Sequence, residues 1–194
     1  MRTTRALGIL VLIASAACGR EAATTLTPTS SPTAPALTPP PAGIPFSSGA
    51  ITFSGLADGA FSSYSENGAT IQSTKGNWVV GAGYGNPRPF IQFDAAGGTE
   101  VVGEIQLTAG GSAFTFEAVD LYSSTTQIPY TFTGLRNGAA VFSVSGRVPN
   151  TFGRFATVPS GNASASIDTL IITLTNTAAP CCRNPMGLDN IVLR

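Results

Sequence analysis

The sequence contains no histidine, one lysine and one tryptophan, and only 10% of its 194 residues are charged. Without an imidazole there is no Ser-His-Asp triad, no Cys-His pair and no His-ligated metal. The 10 basic and 10 acidic residues cancel, and no basic cluster stands out, so the electrostatic footprint of a nucleic-acid binder is missing. There is no G-x-S-x-G elbow and no glycine loop of the kind that cradles phosphate. What abounds instead is apolar residues, 43% of the chain, punctuated by 22 Gly and 14 Pro. That is the composition of short strands joined by turns.

The first residues read as an address. Arg2 and Arg5 precede an uncharged, largely apolar run from Ala6 to Ala17, and small residues lead into Cys18. A run of twelve is short of the about 20 residues that span a bilayer, so residues 1–17 are expected to be a signal peptide. Ser15-Ala16-Ala17-Cys18 resembles a bacterial lipobox, with Ser15 where Leu is usual. The resemblance implies that Cys18 becomes the lipidated first residue of an exported envelope protein, with plain secretion as the alternative. Gly19 follows where an Asp would favour inner-membrane retention, which leans the expectation toward the outer membrane. Residues 18–45 are dominated by Thr, Ser, Pro and Ala. They hold too little apolar surface to offset ordering entropy and are expected to form a disordered Thr/Pro-rich tether.

Residues 46–194 are long enough for one sizeable core. No stretch keeps a helical period. Expected strands are Ala50–Ser54, Ala69–Ser73, Trp78–Val80, Phe90–Phe93, Val101–Thr108, Phe114–Tyr122, Pro129–Gly134, Ala139–Ser145, Arg154–Val158, Ile167–Thr175 and Leu188–Leu193. Within Ile167–Thr175, Leu170, Ile172 and Leu174 share one face, which suits a central strand. Asn137-Gly138 between apolar runs predicts a hairpin, because both residues accept positive φ. The fold class is all-β: a single antiparallel jelly-roll β-sandwich.

Several phrases in order, SSYSENGATI before Trp78, FTFEAVDLYSS, IPYTFTGL and the closing MGLDNIVL, resemble the galactose-binding-like, carbohydrate-binding jelly-roll modules of exported bacterial proteins. The resemblance implies a surface-tethered module that binds carbohydrate without catalysis. It also implies one structural Ca2+ joining early and late strands, with Glu66 and Asp189 as ligands and Asp58 as a further candidate. The plain alternative is that Asp189 and Asn190 shape a turn and Glu66 is solvated.

Sugar recognition calls for exposed aromatic faces beside fixed polar groups. The ligand candidates are Trp78, Tyr84, Asn86, Arg88 and Tyr122, although Val79-Val80 after Trp78 also suits core packing. Cys181 and Cys182 are adjacent between prolines, and in an oxidising compartment they are expected to close a vicinal disulfide. Intermolecular pairing and free thiols are the alternatives. Catalysis is not expected: Glu100 and Glu104 on one strand face would stand roughly 13 Å apart, beyond the about 5–9.5 Å of a glycosidase pair. The competing readings are a structural or adhesive envelope lipoprotein with protein partners, and a hydrolase. The oligomeric state is left open.

Overall fold

The computed structural model describes residues 45–81, 88–93, 101–178 and 184–194. The expectations for Cys18, the signal and tether, Tyr84, Asn86, Cys181 and Cys182 lie outside the described residues.

The described residues form thirteen strands: β1 (Gly49–Ile51), β2 (Gly59–Ala60), β3 (Ser63–Glu66), β4 (Ala69–Lys75), β5 (Trp78–Val80), β6 (Ile91–Phe93), β7 (Val102–Thr108), β8 (Phe116–Ser123), β9 (Ile128–Arg136), β10 (Ala139–Val148), β11 (Ala156–Pro159), β12 (Thr169–Thr175) and β13 (Met186–Leu193). They make two antiparallel sheets. One runs β11-β8-β13-β6-β5-β2, with β1 also paired to β13; the other runs β10-β9-β12-β7-β4-β3. The fold is the antiparallel jelly-roll sandwich expected from the sequence.

The core lies where the apolar faces meet. Leu170, Ile172 and Leu174 of β12, Ile105 and Leu107 of β7, and Ile71 of β4 are all buried. From the other sheet Val119 and Leu121 of β8, Met186 and Leu188 of β13, and Ile91 and Phe93 of β6 meet them. Phe116 and Phe132, one from each sheet, stand edge to face at 5.2 Å. Each such pair adds about 0.5–1.5 kcal/mol beyond burial alone. The Asn137-Gly138 hairpin forms as expected, with φ of 51° and 77° between paired Arg136 and Ala139. Asp168 reaches across to accept the Asn137 N–H at 2.6 Å, which holds its carboxyl below the usual range.

One strand sets the geometry of the first sheet. The partner β8 runs along β13 from Met186 to Leu193. Along the other edge, β6 pairs with Met186–Leu188 and β1 with Ile191–Leu193. Asp189 and Asn190 fall in the gap between β6 and β1, where the register with β8 shifts and Asn190 turns to a φ of 46°. Two strands went unseen in the sequence, β2 and β3, because GA and SYSE carry no apolar alternation.

Candidate ligand-binding surface

Two of the expected ligand contacts belong to the interior. Trp78 is 1% exposed, packs on Phe93 at 5.7 Å, and its indole N–H donates to the Lys75 carbonyl at 3.0 Å. It is a core residue, as Val79-Val80 beside it suggested. Tyr122 is fully buried on the outer face of the first sheet, edge to face with Phe90 at 5.3 Å and Phe155 at 5.2 Å. Its hydroxyl donates to Gln92 Oε1 at 2.6 Å. Neither ring presents a face to solvent, so neither can serve as a stacking platform. Arg88 is exposed ahead of β6.

Three of the acidic residues, Asp189, Asp120 and Glu66, do come close enough to act on one another. Asp189 and Asp120 are register partners on β13 and β8. Burial pushes the Asp189 carboxyl up to about 7, the Asn190 N–H at 2.8 Å pulls it partly back, and the charges of Asp120 and Glu66 push it further up. Asp120 accepts from the Thr157 hydroxyl at 2.6 Å and from Asn190 Nδ2 at 2.9 Å. Glu66 spends both oxygens on the chain leaving β1. Its Oε2 accepts from Thr52 N at 2.7 Å and Phe53 N at 3.1 Å, and its Oε1 from the Thr52 hydroxyl at 2.9 Å. Asp58 is exposed in the loop before β2. Among the described residues no three acidic or thiol side chains are placed to hold an ion. Glu66 thus acts as a clasp on the backbone at Thr52 and Phe53 and is not simply solvated.

The surface that the sequence reading missed is the outer face of the six-stranded sheet. Alternation along β12 and β7 sends Leu and Ile inward and leaves Thr169, Ile171, Thr173 and Thr175, with Glu104, Gln106 and Thr108, half-exposed. Register then aligns side chains into rows across strands about 4.8 Å apart. One row runs Ser143, Thr133, Ile171, Gln106, Gln72, Ser63. A second runs Leu135, Thr169, Thr108, Thr70, Ser65, and a third joins Ser145, Thr131, Thr173 and Glu104. Neighbouring hydroxyls pair, Thr131 with Ser145 and Ser65 with Thr70, both at 2.9 Å. Glu104 accepts from Thr74 at 2.7 Å and Thr173 at 3.4 Å. The carboxamides of Gln72 and Gln106, at the middle of the face, make no hydrogen bond among the described residues.

No protein-family model matches the chain, and no curated protein matches it in sequence. Among solved structures it is similar in fold to an arabinose-bound GH51 α-L-arabinofuranosidase, at 11% identity and a TM-score of 0.45, over 78% of this chain and 27% of that one. It is also similar to CpGH89CBM32-6 of Clostridium perfringens, at 10% identity and a TM-score of 0.38, over 66% of this chain and 95% of that one. A family 29 carbohydrate-binding module from Piromyces equi aligns at 13% identity and a TM-score of 0.35, over 76% of this chain and 86% of that one. The chain thus spans about a quarter of the enzyme and most of each module.

Proposed function

We propose that the domain is a non-catalytic carbohydrate-binding module, exported and held at the cell envelope by a lipid on Cys18. The observation that carries this reading is the outer face of the six-stranded sheet. Sugar hydroxyls donate and accept at once, and so do Ser and Thr hydroxyls and Gln carboxamides. The charges along these rows are Glu104 and its register partner Lys75, which cancel, and this suits a neutral polyhydroxyl ligand better than an anion or cation. The acidic residues support a binding role over a hydrolytic one. Asp189 is 2% exposed and Asp120 is bonded at both oxygens, so no carboxyl of that pair is open to a glycosidic oxygen. A saturable heat of binding is expected when the protein is titrated with one of a panel of soluble polysaccharides. The paired change Gln72→Ala with Gln106→Ala is expected to weaken it about tenfold without lowering the melting temperature. A folded protein that binds none of the panel removes the reading.

One observation favours the adhesive alternative, with a protein partner. Edge strand β10 is ten residues long with Arg147 as its only charge, and Val141 on it is 48% exposed. The other terminal strands, β3, β11 and β2, have four, four and two residues. Long uncharged edges offer unpaired backbone groups to another strand. If β10 recruits a second copy, light scattering will report a dimer that Val141→Lys returns to one chain. A monomer at every concentration counts against self-pairing.

A further inference from the structure

The loop from β10 to β11 crosses between the sheets and carries Phe152, 82% exposed, the most exposed large apolar side chain among the described residues. An exposed apolar residue is ordinary by itself. Its backbone is not. Phe152 and Gly153 have φ of 51° and 79°, and the Arg154 N–H donates to the Thr151 carbonyl at 3.1 Å. This four-residue turn with two positive φ angles in its centre normally takes Asn-Gly, because a bulky side chain is strained there. The chain itself supplies the control. Asn67-Gly68, at 53° and 76°, and Asn137-Gly138, at 51° and 77°, are turns with the same pair of angles, and both have Asn first. Among the described turns with this pair of angles, only this one has a ring in first place.

The strain is held by neighbours. Ser123 N donates to the Thr151 hydroxyl at 2.9 Å, and Gly153 N donates back to the Ser123 carbonyl at 2.9 Å. Asn150 Oδ1 accepts from Phe152 N at 2.9 Å and from the Ser123 hydroxyl at 3.4 Å. The loop is thus fixed to the end of β8, and the ring it raises has no aromatic partner among the described residues. Arg154, two residues on, is exposed. A local rule broken without a packing gain points to function.

We infer that Phe152 is a stacking platform for a single sugar ring, at a chain end or side branch, with Arg154 as a hydrogen-bonding neighbour. The inference rests on the carbohydrate reading and places a contact away from the hydroxyl rows. A lone platform suits one ring, because a polymer laid along the loop would need several. A flat, pinned aromatic ring also contributes contact area at little ordering cost.

The test exploits the turn. Phe152→Asn installs the residue that the other two turns use, so the melting temperature is expected to stay the same or rise. Binding of cellohexaose, xylohexaose or mannohexaose by the full chain, measured by calorimetry, is expected to fall about tenfold, the loss of one stacking contact. Phe152→Tyr is expected to keep it. If Phe152→Asn binds as the unaltered chain does, the platform is refuted while the carbohydrate reading stands. If the unaltered chain binds none of the three sugars or the polysaccharide panel, the carbohydrate reading itself fails, and the platform with it.

Discussion

Gly187→Ala is expected to be among the most damaging single methyl additions to this protein. Gly187 lies on β13 opposite Tyr122 of β8, and an added Cβ would lie 1.8 Å from Tyr122 Cε1. Tyr122 cannot swing away cheaply. Phe90 and Phe155 hold it from two sides, and its hydroxyl is bonded to the buried Gln92. Relieving the clash means breaking that bond or moving β13 away from β8, at the centre of the sheet. Overpacking costs about 1–3 kcal/mol and occasionally more, and a site braced this way belongs at the upper end. For a domain of this size that corresponds to a fall of about 10 °C in melting temperature. Truncating the ring should offset part of it. The double variant Gly187→Ala with Tyr122→Leu is expected to lose less than the sum of the two single changes, and calorimetric melts of all four proteins measure the coupling. Additive losses would mean the methyl group finds room elsewhere.

That pair also shows why some of the molecule was legible in sequence and some was not. Ile167–Thr175 and Val101–Thr108 declared themselves because one face of each is apolar and the other mostly polar. Asn137-Gly138 declared its hairpin through conformational preference. Both are local signals. Tyr122 gave no such sign: what buries it is a small second core on the outer face, built from Phe90 before β6, Tyr122 on β8 and Phe155 before β11, residues far apart in the chain. Glu66 was noticed as an acid, but its role as clasp for Thr52 and Phe53 depends on β3 lying beside the chain that leaves β1. The hydroxyl rows fail for the same reason. Each strand shows its alternate Thr or Ser, yet only register brings Ser143, Thr133, Gln106 and Gln72 into line. Phe152 drew no notice in Asn-Thr-Phe-Gly, because only the comparison of its backbone with the two Asn-Gly turns gives it meaning.

Asp189→Asn is expected to raise stability at pH 8 and to leave it nearly unchanged at pH 4. Asp189 is almost wholly enclosed, with Asp120 on β8 and Glu66 on β3 as the charges that act on it. Its carboxyl is raised from 3.8 to about 7, chiefly by burial, so the folded protein keeps a proton that the unfolded chain has released. Stability is therefore fully present below about pH 4, where both states are protonated. It falls as pH rises through the interval, by about 1.4 kcal/mol per unit, until the folded carboxyl ionises near 7. The accumulated loss is about 4 kcal/mol as an upper bound, because water or a cation admitted at the gap between β6 and β1 would soften it. Asparagine keeps an oxygen for the Asn190 N–H and has no proton to lose, so the pH dependence from this site should vanish. Denaturant unfolding from pH 4 to 8 checks it, the variant overtaking the unaltered protein as pH rises. Running the pH 8 arm with millimolar calcium and again with EDTA separates the two accounts of this corner. Coincident curves leave Asp189 as a buried acid, whereas calcium stabilising only the protein that retains Asp189 would make the carboxyl a ligand after all.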